Sequence, residues 1–205
     1  TIDRLKSKYS TYLNDNDKEK FKENLKIINN QIKQIEKLIN DFSDFARMPK
    51  PILQNNDLVL LINDNIKLLQ ELDNTINISF KTNDKEIFFN SDKEQLSRVF
   101  FNLIKNSIES IHQKLEKVSN IKKNIAIELS NENNHISFII VDTGIGFDNL
   151  EENVKNILNP YFTTKKKGTG LGLSIVNKII NDHNGKIEFF PKDDGAKIKI
   201  TFLNL

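Results

Sequence analysis

The first 46 residues contain neither glycine nor proline, and from Phe21 to Phe42 an apolar residue recurs after four and then three positions. A 4-3 spacing of this kind is the seam of a helical bundle or coiled coil. A two-helix hairpin cannot bury so regular a seam by itself, so the pattern favours a four-helix dimer with a second copy. The alternative is a helix that packs on its own domain. The seam consists of Phe21, Leu25, Ile28, Ile32, Ile35, Ile39 and Phe42.

A shorter helix is predicted before this seam, with an apolar face that runs from Ile2 to Leu13. The polar stretch NDNDKEK interrupts the pattern, and Asn16 with Glu19 fits a capping box for the second helix. Residues 1–46 are therefore predicted to form an α-helical hairpin. Residues 47–54 are predicted to be a linker, because Pro49 and Pro51 end the helix and favour extended backbone.

Residues 55–205 show helical and strand periodicities in alternation. Helices are predicted over 57–72, from a Ser91/Glu94 cap to about Lys117, and from Gly172 to about His183. Strands are predicted at 76–82, 86–90, 124–130, 135–141, 185–190 and 196–203, with hairpins around NENN and KDDG. This order favours an α/β two-layer sandwich in which helices cover one face of a mixed sheet.

Composition excludes several kinds of function. The net charge is only +2 and no long block of one sign occurs, which argues against a nucleic-acid surface. There is no cysteine, so disulfides and thiolate chemistry are excluded. No apolar run is long enough to span a bilayer, and no signal peptide opens the chain. The chain begins at Thr1 within a helical pattern and without an initiator Met, so we expect a piece of a longer protein.

Two asparagines lie four residues apart on the long helix. Asn102 and Asn106 stack one turn above the other, on the flank opposite the apolar face that runs from Leu96 to Ile111. Asparagine is a poor helix former, and its amide oxygen can complete a Mg²⁺ shell of waters and phosphate oxygens. The alternative is a pair of solvated polar positions.

An apolar strand ends in the sequence DTGIG. Asp142 could accept a hydrogen bond from a purine amino group, and Gly144 and Gly146 would let the base lie against bare backbone. An ordinary turn after a strand has the same composition, so this stretch alone does not decide the question.

The third candidate is the sequence KKKGTGLGLSIV, in which Gly168, Gly170 and Gly172 stand immediately before a helix. Glycines admit a ligand close to the backbone, and a helix N-terminus attracts anions, so this stretch indicates a phosphate site. It is not a P-loop, which ends in Gly-Lys-Ser/Thr, and it is not a dinucleotide fingerprint, because Leu173 stands where that motif needs glycine.

The order of these stretches resembles the ATP-binding domain of sensor histidine kinases over about residues 55–205. NLIKNSIES is similar to the N box, DTGIG to the first glycine box, PYFTTKKK to the F box and GTGLGLSIV to the second glycine box. The resemblance implies the Bergerat-type ATP-binding fold, preceded here by the helical hairpin. The segment from Phe147 to Lys167 would be its mobile lid.

The resemblance also implies roles for individual residues, with ATP and Mg²⁺ as cofactors. Asn106 would hold Mg²⁺, Asn102 would support the phosphates or the metal, and Asp142 would bind the adenine amino group. Phe162 would pack the lid, and Lys165 would neutralise phosphate charge during transfer. The remaining expected nucleotide contacts are Gly144, Gly146, Lys167, Gly168, Thr169, Gly170, Leu171 and Gly172.

The hairpin followed by DFSDFARMPKP is similar to the end of the dimerisation domain in nitrogen-regulation-type sensor kinases. The implied partners are a second copy and a response-regulator receiver domain, and the implied location is the cytoplasmic portion of a membrane-anchored bacterial sensor. His112, His135 and His183 lack the sequence context of a phosphoacceptor, so we expect the acceptor histidine to lie upstream of Thr1 and this chain not to phosphorylate itself.

Two other functions are compatible with the same fold. An ATPase switch of the gyrase or chaperone kind would carry a glutamate base where this chain has Asn102. A dimerisation module with a decayed nucleotide site would not need intact glycines or Asp142.

Overall fold

A computed structural model describes residues 2–9, 14–147, 156–165 and 168–204, and the chain divides into two compact units. Residues 1–48 and 164–169 form the first unit, and residues 49–163 and 170–205 form the second. The helices are α1 (Ile2–Tyr9), α2 (Asp15–Ala46), α3 (Leu58–Leu72), α4 (Lys93–Leu115) and α5 (Gly172–Asp182). The strands are β1 (Gln54–Asp57), β2 (Asn77–Thr82), β3 (Phe88–Ser91), β4 (Asn124–Glu132), β5 (His135–Asp142), β6 (Lys186–Pro191) and β7 (Ala196–Leu203).

The first unit is built on the long helix α2. Its N-cap is Asn14, whose Oδ1 accepts a hydrogen bond from the backbone N–H of Asp17 at 2.9 Å. The expected capping box at Asn16 and Glu19 is therefore wrong, because Asn16 already lies inside the helix and Asn14 satisfies the free N–H of the first turn. The predicted positions Tyr12 and Leu13 of the first helix lie outside the described residues.

The apolar seam of α2 is largely uncovered. Leu25 is buried, but the positions that follow are between 42% and 59% exposed. Ile, Leu and Phe side chains are usually buried, so a row of this length marks a surface that another chain can cover. The exposed seam positions are Ile28, Ile32, Ile35, Ile39 and Phe42.

The second unit is a mixed sheet with helices packed on it, as the periodicities predict. Five strands lie in the order β2-β4-β5-β7-β6, with β2 parallel to β4 and the other pairs antiparallel. Buried and more exposed residues alternate along β4, β5 and β7 because successive side chains of a strand point to opposite faces. Strands β1 and β3 pair separately as a two-stranded sheet. β1 is polar and four residues long, and its sequence gave no strand signal.

Helix α4 is the centre of this unit and packs on α3, α5, β4 and β5. All seven positions expected on its apolar face are buried, and Phe100 packs against Phe138 of β5 with ring centroids 4.9 Å apart. Burying one such side chain contributes about 1.5–3 kcal/mol. The expected face is Leu96, Val99, Phe100, Leu103, Ile104, Ile108 and Ile111.

The N-terminus of α4 corrects a second cap prediction. Asp92, not Ser91, caps the helix by accepting the N–H of Gln95 at 3.0 Å. Ser91 is the last residue of β3, and strand alternation turns its side chain into the core, where its hydroxyl donates to the carbonyl of Phe89. Asp92 also accepts the backbone N–H of Ile52 at 2.9 Å, which fixes the linker to this helix.

The three histidines all have partners within the second unit. His112 donates Nε2–H to Asp73 at 2.6 Å, and His135 Nδ1 bonds the carbonyl of Asn133 at 2.8 Å. His183 is buried, with Nδ1 donating to the carbonyl of Ile179 and Nε2 accepting the N–H of Asp92.

Among the described residues, no helix is both long and apolar enough to cross a bilayer.

Candidate functional site

Asp142 reaches the interior because of its place on β5. Ile136, Phe138 and Ile140 are buried at every second position, and the same alternation turns Asp142 inward at the end of the strand. Only 4% of the residue is exposed. A carboxylate is rarely buried to this extent unless it is paired or hydrogen-bonded, so its partners define the site.

Three donors surround the Asp142 carboxylate. The Gly144 N–H donates to Oδ1 at 2.8 Å, and the Ser107 hydroxyl of α4 donates to Oδ2 at 3.1 Å. The backbone N–H of Ala196 is the third donor. Burial raises the pKa of Asp142 above its ordinary value, whereas these donors and the charge of Lys192 oppose the rise.

The loop after Asp142 needs glycine for steric reasons. A Cβ on Gly144 would collide with the side chain and backbone of Ser110. Gly146 has φ +77°, and its Cβ would lie 2.7 Å from the carbonyl oxygen of Gly195. Gly195, at φ +104°, itself packs directly against the carbonyl of Asp142. The conformation with positive φ is open to glycine at low cost, so both residues let the β6–β7 turn close on this loop.

Helix α4 holds the same loop at two further points. The Ser110 hydroxyl accepts the N–H of Ile145 at 3.1 Å. Lys114 donates Nζ–H to the carbonyl of Thr143 at 3.1 Å and forms an ion pair with Asp194. The backbone that would contact a base is therefore fixed to a helix and a hairpin turn rather than left as a free loop.

Asn102 lies on α4 where the helix meets the start of α5. It donates Nδ2–H to the carbonyl of Arg98 at 2.8 Å, and a Cβ on Gly172 would lie 3.6 Å from its Oδ1. Asn106 lies one turn further along and is partly exposed. Both amides stand on the same helix as the serine that contacts Asp142, so the helix brings two of the three candidate stretches together.

Leu171 and Gly170 lead into α5. Leu171 is fully buried and holds the start of the helix in the core. Gly170 packs against the backbone of Tyr161 so closely that a Cβ would overlap it, and the Tyr161 N–H donates to the Gly170 carbonyl at 3.0 Å. Phe162, the expected lid residue, is partly exposed.

Other expected contacts belong to the first unit. The Gly168 N–H donates to the Lys165 carbonyl at 3.2 Å, and the Thr169 hydroxyl donates to Asp41 of α2 at 2.9 Å. Lys167 and part of the expected lid, residues 148–155 and 166, lie outside the described residues.

The side chains at this site fit a Mg²⁺ ion that is coordinated mainly by a bound phosphate ligand and water. Within the described ranges, no three His, Cys, Asp or Glu side chains form a group that could hold a metal by themselves. Asn102 and Asn106 offer neutral amide oxygens, which suit a magnesium ion whose other ligands are waters and phosphate oxygens.

Sequence reasoning missed the residues that support Asp142. Ser107, Ser110 and Lys114 follow the spacing i, i+3 and i+7, which places them along one side of α4. That spacing was the available signal, but the residues they contact lie 29 to 35 positions away in the chain. Gly195 stood in a turn and carried no signal of its contact with Asp142.

Comparison with known proteins agrees with this geometry. The family model described as histidine kinase-, DNA gyrase B-, and HSP90-like ATPase matches residues 91–204. An NtrY-like sensor histidine kinase of Rickettsia bellii is 31% identical over 201 residues, which cover 98% of this chain and 31% of that protein. The nitrogen regulation protein NtrY of Azorhizobium caulinodans is 30% identical over 98% of this chain and 26% of its own length. The chain thus spans about a third or less of these relatives.

Solved structures show the same fold. The nucleotide-free catalytic domain of histidine kinase ThkA covers 74% of this chain and 95% of its own, with 27% identity and a TM-score of 0.64. ThkA in complex with the response regulator TrrA covers the whole of this chain and 57% of its own, with 22% identity and a TM-score of 0.75. These matches and the family model confirm the predicted fold class.

Proposed function

Since the chain belongs to the histidine kinase-, DNA gyrase B- and HSP90-like ATPase family, we propose that it is the ATP-binding catalytic region of a sensor histidine kinase. Its parent transfers the γ-phosphoryl group of ATP to a histidine on a dimerisation helix and then to a response-regulator aspartate. Residues 1–46 are part of the dimerisation hairpin, residues 47–54 the linker and residues 55–205 the catalytic domain.

The observation that carries the proposal is the buried Asp142 carboxylate at the end of β5. An ionised carboxylate is a hydrogen-bond acceptor only, so it selects a ligand that offers an N–H group. The 6-amino group of adenine is such a donor. Gly144 and Gly146 keep the neighbouring backbone bare, and α4 holds it in place through Ser110 and Lys114.

The phosphates and Mg²⁺ are assigned to the other two candidate stretches. Asn106 supplies an amide oxygen to the metal, and Asn102 supports the metal or the phosphates. Gly168, Thr169, Gly170, Leu171 and Gly172 surround the triphosphate, with Lys165 and Lys167 as cations and Phe162 in the lid. Phosphoryl transfer relies on positioning and charge neutralisation, and bound Mg²⁺ supplies the main positive charge.

The phosphate acceptor is assigned to another segment of the parent protein. His112, His135 and His183 each have a structural hydrogen bond in the fold. The chain is therefore expected to form no phosphohistidine when incubated with labelled ATP. Acid-labile label mapped by mass spectrometry to any of these histidines at high stoichiometry would contradict this assignment.

The partners follow from the same proposal. The exposed seam of α2 pairs with a second copy, and a receiver domain takes the phosphoryl group from the parent's histidine. The region is placed on the cytoplasmic side of a membrane-anchored sensor.

The two competing functions are less well supported. Asn102 cannot act as the base of an ATPase switch, and a decayed site would not keep Asp142 surrounded by three donors.

The adenine contact is tested by Asp142→Asn. Replacing an acceptor-only carboxylate by an amide should weaken ATP binding about tenfold or more, since a hydrogen bond to a charged group is worth about 1.5–3 kcal/mol. Isothermal titration calorimetry with Mg²⁺-ATP measures the affinity. Asp193→Asn, in the exposed β6–β7 turn, is the matched control and should bind as the wild type does. Equal affinities for the wild type and Asp142→Asn would exclude the adenine role of Asp142.

A further inference from the structure

The Asp142 carboxylate has nearly all of its acceptor capacity occupied inside the protein. A carboxylate offers about four lone-pair sites. The Gly144 N–H, the Ser107 hydroxyl and the Ala196 N–H occupy three of them, and they come from three different parts of the fold. Counting only donors from the part of the chain that the structure describes, one acceptor site is therefore left for a ligand, and the three donors fix where it lies.

Ser107 differs from the other two donors. Gly144 and Ala196 donate backbone N–H groups, which substitution of a side chain cannot remove. Ser107 donates a side-chain hydroxyl from the buried face of α4, between Leu103 and Ile111. Among the three donors named above, the Ser107 hydroxyl is therefore the one that a side-chain substitution can remove.

A fixed carboxylate discriminates better than a loose one. Without the Ser107 donor, Asp142 would keep only the hydrogen bonds from the Gly144 and Ala196 N–H groups. Its carboxylate could then rotate more easily about χ2, a torsion whose preference is broad and roughly two-fold. A donor from the protein also favours the ionised form, which accepts hydrogen bonds and donates none. Both effects favour a purine with an amino group at position 6 over one without it.

We propose that Ser107 is a specificity-determining positioning residue, which holds Asp142 so that its remaining acceptor site selects the 6-amino group of adenine. This role rests on the proposed function, because it requires that Asp142 contacts the base. Ser107 itself does not touch the nucleotide. Its loss should reduce base selectivity without affecting the binding of the sugar and phosphates.

The test compares two nucleotides on three proteins. Affinities of ATP and of purine ribonucleoside triphosphate, which lacks only the 6-amino group, are measured by calorimetry on the wild type, Ser107→Ala and Ser107→Thr. We expect Ser107→Ala to bind ATP about tenfold more weakly and the purine analogue as the wild type does. Ser107→Thr keeps the hydroxyl and should restore the preference for ATP.

Ser97→Ala is the matched control, since Ser97 lies on the same helix and bonds Asn65 rather than the Asp142 loop. It should leave both affinities unchanged. An equal loss for ATP and the analogue in Ser107→Ala would mean a merely structural role and would overturn the inference. So would a wild-type preference that persists in Ser107→Ala. A wild type that does not distinguish the two nucleotides would instead contradict the proposed adenine contact, and this inference with it.

Discussion

At the scale of residues, the site depends on side chains that meet across long distances in sequence. Asp142 lies 35 positions after Ser107, yet their side chains are hydrogen-bonded in the core. Strand alternation turns Asp142 inward, and helical periodicity turns Ser107 toward it. Each of the two rules is local, but the hydrogen bond between Ser107 and Asp142 forms only once β5 has packed on α4.

Asn106→Ala separates metal binding from packing. If Asn106 is a Mg²⁺ ligand, nucleotide affinity should fall by about tenfold or more in Mg²⁺, a loss that even outer partners of metal sites produce. In EDTA the same variant should bind nearly as the wild type does. Calorimetry with ATP under the two conditions measures both values.

Asn63→Ala removes an amide from α3 and is the matched control, because its amide donates to the carbonyl of Val59 in its own helix. It should show no difference between the two conditions. An identical loss with and without Mg²⁺ in Asn106→Ala would make Asn106 a packing residue and not a metal ligand.

The candidate site could be predicted from sequence only in part. Asp142, Gly144 and Gly146 could be proposed as site residues because strand, carboxylate and glycines are adjacent in the chain. The residues that hold that loop were not predicted, because no sequence motif around Ser107 or Gly195 indicates that they contact Asp142. A motif records neighbours along the chain, whereas the orientation of Asp142 is set by neighbours in space.

At the scale of elements, most helices and strands follow from periodicity. The polar strand β1 was not predicted, and the other errors lie at the ends of elements. β7 has the bounds that its alternation predicts, and α3 begins one residue after the predicted start. Both N-cap predictions chose a residue one or two positions after or before the true cap. Asn16 was chosen instead of Asn14, and Ser91 instead of Asp92, because Asn, Ser and Asp are all residue types that cap helices. Tertiary structure decides between them, as the inward turn of Ser91 shows.

One contact between helix ends gives a pH dependence. Asp73 at the C-cap of α3 accepts a hydrogen bond from His112 of α4, and this bond, with that from Thr75, lowers the pKa of Asp73 from 3.8 to about 2. The unfolded carboxyl takes up a proton as the pH falls below about 4, while the folded one stays ionised. Stability from this contact is therefore complete above about pH 4 and is lost as the pH falls toward 2.

Asp73→Asn should make the thermal midpoint less dependent on pH between about 4 and 2, because the variant has no carboxyl to titrate there. Circular dichroism melting curves at several pH values measure this. His112→Ala removes the leading donor and should also weaken the dependence. A pH profile in either variant that is parallel to that of the wild type would contradict the pairing.

At the scale of the whole molecule, the chain consists of two units that differ in how much of their apolar surface is buried. The second unit buries its apolar face between sheet and helices, whereas α2 of the first leaves a heptad seam exposed. The seam was predicted from spacing alone, because the 4-3 repeat needs no knowledge of the partner. The exposed positions agree with pairing to a second copy, which remains a prediction.

Ile32→Asp tests that pairing. A charge in the middle of the seam would be buried without a partner in a dimer, at a cost of several kcal/mol. Analytical ultracentrifugation should show a dimer for the wild type and a monomer for the variant. Asn30→Asp places the same charge on the opposite side of α2 and should leave the dimer intact. A wild type that sediments as a monomer at high micromolar concentration would refute the four-helix arrangement.

The β6–β7 turn has a consequence for how the protein is made. Gly195 packs on the carbonyl of Asp142, and Ala196 supplies one of the donors to its carboxylate, although both residues follow Asp142 by more than 50 positions. A ribosome must therefore synthesise the β6–β7 turn before these two contacts with Asp142 can form. A premature stop just before Gly195 would leave NLIKNSIES, DTGIG, PYFTTKKK and GTGLGLSIV intact and would remove both of these contacts with Asp142.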